Sequence, residues 1–283
     1  MRDIEIKPLT FSKEWTEKFY EREDPWGVKK YKGLQQRASR ALKILGRQIY
    51  NLGIDLCCGE GTITVDILSN YCKHVVGIDF SETAIQRAKE LSKNAPNVQF
   101  VNADVIEIDY CKLGLTPDLI FCSDAFFYFN RSQQKTIMAK IAELKNLPKI
   151  LLVIRLQFKQ FCSEHPELVE YAPDYDFFDT WDELREIAKG NYDITRIEPV
   201  LEHVPQNIPW GDNIIAVNIR KVFYFLFVKA LSRFLTLNSD TEKIDKMRFQ
   251  LLRAYYRVPV LQWIMKRFIF FYGILLEPRI EHQ

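Results

Sequence analysis

From residue 51 onward, short apolar runs rich in Val and Ile alternate with stretches that have the spacing of amphipathic helices. The runs are almost continuously apolar, as expected of parallel strands that are covered on both faces. Because such alternation is typical of strand–helix–strand units, the sequence predicts an α/β fold with a doubly wound, mostly parallel sheet. The first predicted strands are 52–57, 74–80, 98–104, 117–124 and 149–156, and the helices among them are 61–71, 81–94 and 132–147.

The second half of the chain predicts two further strands and several helices. After a helix at 180–190, residues 192–204 and 213–222 have the composition of strands, and we expect an antiparallel pair at the edge of a seven-stranded sheet. Two apolar stretches, 222–235 and 258–276, are interrupted by Lys or Arg, whereas a membrane span needs about 20 apolar residues with few charges. We therefore predict buried or interfacial helices there.

Composition argues against several classes of protein. The chain has 283 residues and a formal net charge of +2, so its overall charge does not favour nucleic acid binding. Its six cysteines show no paired CxxC spacing, so we predict no metal site. The first residues contain no apolar stretch typical of a secretory signal, and the scattered cysteines suit a reducing compartment, so we expect a cytoplasmic protein.

Two glycines, Gly59 and Gly61, directly follow the first predicted strand. Glycine permits a sharp turn between strand and helix, and its missing Cβ lets a ligand lie against the backbone. The motif is shorter than the G-x-G-x-x-G fingerprint of dinucleotide sites, because position 64 is Thr64. On its own the motif has two interpretations, a ligand-binding turn and a tight turn with no ligand.

Acidic residues at successive strand ends favour a ligand. Asp79 ends the second predicted strand, and its carboxylate oxygens can accept both hydroxyls of a ribose. Asp104 ends the third strand and can accept a hydrogen bond from an exocyclic amine such as that of adenine. Asp55, inside the first strand, either accepts from neighbouring turn amides or pairs with a ligand ammonium. A ligand with an adenosine, an amino-acid end and no long phosphate tail fits this set, so the sequence predicts S-adenosylmethionine as the cofactor.

The segment from about residue 50 to 155 resembles the class I S-adenosylmethionine-dependent methyltransferases, which have a Rossmann-like fold. The first motif of that family reads acidic-x-G-x-G-x-G, and here Cys57 replaces the first glycine. The resemblance implies that Asp79 binds the ribose, that Asp104 lies on the adenine side, and that Asp124 follows the strand beside the methionine portion. The cofactor-binding residues predicted in this segment are Asp55, Cys57, Gly59, Gly61, Asp79, Phe80, Asp104, Val105 and Ser123.

A second resemblance concerns the N-terminal part of the chain. The stretch FYEREDPWG at 19–27 is similar to the N-terminal lid of the nodulation protein S group of methyltransferases, and SDAFFYF after the fourth strand is similar to a motif of the same group. The resemblance implies that Trp26 packs on the cofactor and that Arg37 pairs with the cofactor carboxylate. It also implies that Tyr20 and Tyr31 line the lid on the substrate side.

Simpler interpretations of the lid residues stay open from the sequence. Trp26 follows Pro25, so its ring can instead attach the N-terminal segment to the core. Arg37 can instead be a charge on the surface of a helix, with Arg40 in its place at the cofactor.

Methyl transfer also needs a placed acceptor, and a hydroxyl or ammonium acceptor must lose a proton. We predict Asp124 and His165 as catalytic residues, because the first ends a strand at the site and the second has the intrinsic pKa of a base. Asp174 and Asp176 are further candidates, and His165 can also be a residue of the loop surface. Tyr128 is predicted to line the substrate pocket with Tyr20 and Tyr31.

These observations predict a methyltransferase that acts on nitrogen or oxygen of a small molecule, with an amino sugar or glycoside as the first acceptor class. The alternatives are a methyltransferase of a lipid or isoprenoid-like acceptor and, in another class, a non-catalytic nucleotide-binding partner subunit. We divide the chain into an N-terminal helical lid (1–50), a cofactor-binding core (51–220) and a C-terminal helical addition (221–283). The addition departs from the compact group above, and we expect it to contact a membrane surface or to form a homodimer.

Overall fold

The computed structural model describes residues 12–30, 32–112, 116–155, 181–201 and 270–279. These residues form a seven-stranded sheet with helices beside it, in the strand order β3-β2-β1-β4-β5-β7-β6. The strands are β1 (Tyr50–Leu56), β2 (Cys72–Asp79), β3 (Val98–Asn102), β4 (Leu119–Ser123), β5 (Lys149–Arg155), β6 (Tyr192–Leu201) and β7 (Phe270–Pro278). The α-helices are α1 (Lys13–Phe19), α2 (Lys32–Leu42), α3 (Thr62–Asp66), α4 (Glu82–Leu91), α5 (Arg131–Ala142) and α6 (Trp181–Ala188).

The doubly wound, mostly parallel sheet is confirmed. Strands β1 to β5 pair in parallel with one another, and β1 lies between β2 and β4, so the strand order reverses beside β1. In such sheets ligands bind outside the carboxyl ends of the strands at this switch point. The inner parts of the central strands are mostly apolar, as expected where both faces are covered. Phe121, Leu151 and Val153, for example, are fully buried.

Local sequence accounts for the helices that follow the first two strands. Ser81 is the N-cap of α4, as predicted, and its hydroxyl accepts a hydrogen bond from the Ala84 amide at 3.1 Å. The predicted helix at 61–71 is shorter, because α3 ends at Asp66 and a 3₁₀ turn at Leu68–Asn70 follows it. Helix α3 begins at Thr62 after β1, and α4 begins at Glu82 after β2, so both helices start at the carboxyl edge of the sheet.

The prediction of a helix over 258–276 is wrong for its last part. Phe270–Pro278 form β7, which pairs antiparallel with β5 on one side and with β6 on the other. Ile274 and Leu275 are neighbours on opposite faces of this strand and are both buried, so both faces are covered and the sequence shows no alternation. The antiparallel partner of β6 is therefore β7, whereas the predicted strand at 213–222 lies outside the described residues.

The N-terminal residues divide into two packed parts. Residues 12–30, which we call the lid segment, begin with α1, and this helix packs against α4. Helix α2 instead packs on the sheet against β5, β6 and β7. The approach is close, because a Cβ added to Gly273 would lie 3.2 Å from Ala41 Cβ of α2 and 2.5 Å from Ile44 Cδ1 in the 3₁₀ turn that follows α2. The division of the chain into a lid, a core and a C-terminal addition otherwise stays a prediction.

Among the helices of the described ranges, none combines the length and the apolar character that crossing a membrane requires.

Candidate functional site

The carboxyl ends of four adjacent strands bring most of the predicted cofactor residues to one edge of the sheet. The turn with Gly59 and Gly61 follows β1, Asp79 ends β2, and Asp104 lies just beyond β3. On the other side of β1, Asp124 directly follows β4. The arrangement follows from the parallel strand order 3-2-1-4, which places these ends side by side. The roles of the residues toward a ligand stay predictions.

Both glycines of the turn have backbone conformations that suit glycine, with φ of 55° at Gly59 and 76° at Gly61. Protein side chains occupy the space beside them. A Cβ on Gly61 would lie 2.5 Å from Phe100 Cζ and 3.0 Å from Ala88 Cβ, and a Cβ on Gly59 would lie 2.9 Å from the Tyr20 hydroxyl. The turn therefore needs glycine for its conformation and for packing, whether or not a ligand lies against it.

Backbone strain is concentrated around this edge. In the part of the chain that the structure describes, the non-glycine residues with positive φ are Asp24 (47°), Cys57 (59°) and Asp124 (59°). Cys57 stands where the motif described above has its first glycine, and its φ lies in the left-handed region that favours glycine. Such residues cost free energy and are frequent at functional sites. Their positions in the lid segment, after β1 and after β4 support a binding role for this edge.

Asp79 connects the ends of β1 and β2. One carboxylate oxygen accepts the Gly59 amide at 2.9 Å, and the other accepts the Ser81 amide at 3.0 Å. Burial raises the pKa of Asp79 to about 6, against the lowering effect of these amides and that of Phe80. Each oxygen accepts one of these two bonds, so each retains a lone pair for a further donor. The carboxylate can therefore accept two hydroxyls, as the ribose of the predicted cofactor requires.

Asp55 is buried beneath the turn, and its partner is a side chain rather than the turn amides. Its carboxylate accepts the Thr64 hydroxyl at 2.6 Å. Burial raises the pKa of Asp55 to about 7, which the Thr64 bond opposes and the charge of Asp79 reinforces. A buried acid with one hydroxyl partner fits the predicted role of pairing with a ligand ammonium.

Replacing Asp55 with asparagine is expected to stabilise the folded chain at alkaline pH. The folded state binds the Asp55 proton more tightly than the unfolded state, where the pKa is near 3.8, so the wild type loses stability as the pH rises from about 4 to about 7. Asparagine carries no charge and keeps an acceptor for Thr64. The stability advantage of Asp55→Asn should therefore grow by about 2 kcal/mol from about pH 5 to about pH 8 in urea unfolding.

The control for this prediction is Asp66→Asn, which changes an exposed carboxylate on α3. It should show no comparable pH dependence relative to the wild type. A variant with Asp55→Asn that is less stable than the wild type at the higher pH would contradict the assignment of a buried, destabilising charge.

Asp104 and its neighbour form the adenine side of the predicted site. The Asp104 carboxylate accepts the Ile106 amide at 2.8 Å and is half-buried. Val105 is buried, and its carbonyl accepts the Tyr110 hydroxyl at 3.1 Å. The loop after β3 is thus fixed by its own hydrogen bonds, with a carboxylate at its start.

Asp124 forms an ion pair with Arg37 and accepts the Ser123 hydroxyl at 3.0 Å. Arg37 comes from α2 and is only 4% exposed, so the interpretation of this residue as a charge on the helix surface is wrong. Within the structure the guanidinium binds a carboxylate of the protein. A cofactor carboxylate would have to bind Arg37 together with Asp124 or in place of Asp124, so the predicted role of Arg37 stays a prediction.

Aromatic side chains of the lid segment cover the turn. The Trp26 indole N–H donates to the Tyr20 hydroxyl at 3.0 Å, and the Trp26 ring stacks on Tyr128 with centroids 5.9 Å apart. The centroids of the Phe19 and Trp26 rings are 4.6 Å apart. Tyr20 is buried beside Gly59, whereas Trp26 is 36% exposed. Trp26 therefore attaches the lid segment to the loop after β4, and part of its side chain stays exposed.

Sequence reasoning missed three charged residues that hold the lid segment. Glu17 accepts the Glu82 amide at 2.6 Å and the Ser81 hydroxyl at 3.2 Å, at the start of α4. Glu60 binds the Asp24 amide and the Arg87 guanidinium. The sequence signal among these three was for Glu60, which is an acid between the two glycines of a ligand-binding motif. The predicted site residues Tyr31 and His165 lie outside the described residues, as do Asp174 and Asp176.

Comparisons with known proteins agree with this geometry. Residues 54–146 match the family model for a methyltransferase domain. Demethylmenaquinone methyltransferase of Staphylococcus saprophyticus is 29% identical over 84 residues, which are 26% of this chain and 36% of that protein. The enzyme of that name from Staphylococcus aureus is 33% identical over 73 residues, 25% of this chain and 30% of that protein. The chain thus spans about a third of the length of these curated relatives.

Two solved structures share the fold. The N-methyltransferase NodS from Bradyrhizobium japonicum, solved with S-adenosyl-L-homocysteine, aligns with a TM-score of 0.53 at 16% identity over 66% of this chain and 89% of NodS. A chain in the Haloferax volcanii complex of the Trm112 methyltransferase activator with a methyltransferase aligns with a TM-score of 0.51 at 15% identity, over 68% and 82% of the two chains. At these identities the likeness is one of fold. Residues 54–146 of this chain are therefore similar to a methyltransferase domain, and they lie within a seven-stranded sheet that has the Rossmann-like fold of these structures.

Proposed function

We propose that this chain is an S-adenosylmethionine-dependent methyltransferase that acts on nitrogen or oxygen of a small molecule. One observation carries the proposal: Asp79 at the end of β2 binds the Gly59 amide of the turn after β1, with Asp104 and Asp124 at the two flanking strand ends. This is the edge where doubly wound sheets bind nucleotide ligands. The methyltransferase family model covers the same strands and the same turn.

The residues fit the predicted cofactor by their chemistry. In our proposal Asp79 accepts the ribose hydroxyls and Asp104 accepts the adenine amine, with Phe80 and Val105 beside the base. Asp55 and Ser123 serve the amino-acid end, where Arg37 is the cation for the carboxylate. The charges are complementary, because the buried acid at β1 suits an ammonium and the guanidinium suits a carboxylate.

When bound, S-adenosylmethionine supplies a methyl group on a positively charged sulfur that is already activated for transfer. The residues of the chain then have to place the acceptor and exclude water. The stacked rings of Trp26 and Tyr128 and the buried Tyr20 form an aromatic wall over the strand ends. Among the described acids, Asp124 is our candidate for placing the acceptor, because it follows β4 and contacts Ser123 and Arg37. We propose that it binds the acceptor and takes up its proton, a role for which His165 remains a second candidate.

The acceptor class that we propose first is an amino sugar or glycoside. The wall of Trp26 and Tyr128 offers flat apolar surface to a sugar ring, and the Asp124 carboxylate offers a polar contact to a hydroxyl or ammonium group. A mixture of flat apolar surface and few polar groups is typical of small-molecule sites.

A lipid or isoprenoid-like acceptor is the second candidate. The curated relatives that match the chain are named demethylmenaquinone methyltransferases, and residues 222–235 and 258–269 are strongly apolar in sequence. Methyl transfer to quinone precursors in lipid vesicles, with none to soluble amino sugars, would favour this candidate over the first. The converse result would favour the first.

Titration of S-adenosylmethionine into the wild-type chain tests the proposed function. We expect binding heat, and an association constant that rises at least about tenfold from about pH 5 to about pH 7, because Asp79 with a pKa of about 6 accepts hydroxyls best when ionised and Asp55 with a pKa of about 7 pairs with the ammonium best when ionised. Calorimetry across this pH range measures both results. Absence of heat at every pH would contradict the proposal, whereas binding without methyl transfer to any acceptor would favour a nucleotide-binding partner subunit.

A further inference from the structure

We propose that Glu60 is a positioning residue that couples the lid segment to the glycine turn, so that cofactor binding and lid placement stabilise each other. The inference rests on the proposed function, because it takes the turn after β1 as part of the cofactor site. It concerns a residue for which neither the motif nor the fold requires an acid.

Glu60 makes contacts that an ordinary turn residue does not make. Its carboxylate accepts the Asp24 amide of the lid segment at 3.1 and 3.3 Å, one distance for each oxygen. It forms an ion pair with Arg87 Nη1 at 2.6 Å and lies 3.7 Å from Lys29 Nζ. Its side chain is only 6% exposed, so the carboxylate is shielded from water, whereas Arg87 and Lys29 are 29% and 38% exposed.

Arg87 extends this contact to a third part of the molecule. It comes from α4, and besides Glu60 its guanidinium donates to the Arg22 carbonyl at 2.9 Å and to the Glu21 carbonyl at 3.4 Å. One ion pair therefore joins the glycine turn, the lid segment and α4. A change of position in any of the three alters the contacts of the other two.

The lid turn that Glu60 binds has a backbone that needs support. Asp24 has a φ of 47°, and its carboxylate accepts the Lys29 amide at 3.1 Å and the Lys30 amide at 3.0 Å. A non-glycine residue in this conformation is unfavourable by itself and persists when its surroundings determine it. The bond from the Asp24 amide to Glu60 ties this strained turn to the core.

The position of the lid turn decides where the aromatic wall lies. Trp26 follows Asp24 by two residues, donates to Tyr20 and stacks on Tyr128. Tyr20 in turn lies against Gly59, next to Glu60. In our proposal the glycine turn contacts the cofactor. Through Glu60 the same glycine turn also fixes the position of the aromatic wall that faces the acceptor. By reciprocity, a cofactor that orders the turn also orders the lid segment.

The test is amide hydrogen exchange of the full-length chain, with and without S-adenosylmethionine. Glu60→Gln keeps the volume and an acceptor for the Asp24 amide but removes the charge. We expect exchange in peptides from 14–29 to be about tenfold faster in this variant, with exchange in β4 unchanged. We also expect the cofactor to bind about fivefold more weakly or worse, and to protect those peptides less than it does in the wild type.

Two further variants make the result specific. Glu90→Gln, also on α4, removes an exposed ion pair with Lys93. It should change neither the exchange of the lid segment nor the affinity for the cofactor. Arg87→Gln removes the partner of Glu60, and the double variant should differ from the wild type no more than the more affected single variant. If Glu60→Gln does not fold, Arg87→Gln carries the same comparison.

The outcomes separate this inference from the proposed function. If the wild type binds no S-adenosylmethionine, the proposed function fails, and the inference fails with it. If the wild type binds the cofactor and Glu60→Gln binds it equally well, the coupling is overturned, even where lid exchange is faster. Unchanged lid exchange in Glu60→Gln would overturn the positioning role itself.

Discussion

A chain with Asp79 replaced by alanine is expected to bind S-adenosylmethionine at least about 100-fold more weakly than the wild type. In our proposal Asp79 accepts two ribose hydroxyls, and a hydrogen bond to a charged group contributes about 1.5 to 3 kcal/mol, so losing two costs at least two decades of affinity. Alanine also leaves the Gly59 and Ser81 amides without their carboxylate acceptor. The turn then keeps the bond from the Cys58 amide to the Ile78 carbonyl of β2 but loses the side-chain connection through Asp79, which weakens binding further.

Calorimetric titration measures this effect, and circular dichroism shows whether the variant keeps its fold. Asp66→Ala removes an exposed carboxylate on α3 and should bind the cofactor like the wild type. Asp79→Asn keeps one acceptor and should fall between the wild type and Asp79→Ala. Wild-type affinity in a folded Asp79→Ala chain would rule out Asp79 as the ribose acceptor.

The sequence could predict this edge of the sheet because parallel strands leave little freedom. Once the strands at 52–57, 74–80 and 98–104 were recognised, their carboxyl ends had to lie at one edge. Asp79 and Asp104 then had to be near the glycine turn. Short-range patterns of apolar residues locate these strands along the chain, and the rules for parallel strand–helix–strand units then place their ends side by side.

Contacts between distant side chains could not be predicted in this way. Arg37 pairs with Asp124 across 87 residues of sequence, and Glu17 reaches the first turn of α4 across 65 residues. Neither contact leaves a local signal, because many arginines and glutamates of the chain sit on helices with similar spacing. Such contacts depend on how the lid segment and α2 pack, and packing is set by the whole fold.

Strand β7 was missed for a different reason. Its residues form one apolar run with Phe, Tyr, Ile and Leu, which suits a buried helix as well as a strand that is covered on both faces. The run continues the apolar sequence before it, so no turn residue marks its start. Its real environment, between β5 and β6, is created by strands that are more than 60 residues earlier in the chain.

This placement predicts that a chain ending at residue 269 does not fold cooperatively. Removing β7 would take away its hydrogen bonds to β5 and β6 and expose the surfaces that cover Ile274 and Leu276, both 0% exposed. The milder change Ile274→Ala should cost about 2 to 5 kcal/mol, from lost burial and from the cavity left behind. Thermal and urea unfolding followed by circular dichroism measure both effects.

Arg279→Gln is the matched control, because it lies directly after β7 and makes an exposed ion pair with Asp193. Such a pair contributes about 1 kcal/mol or less, so this variant should unfold close to the wild type. A chain without β7 that still unfolded cooperatively, at the temperature of the full chain, would contradict the placement of this strand. The expected contrast arises because β7 lies inside the sheet: its loss would leave β5 with an unpaired edge and separate β6 from the other strands.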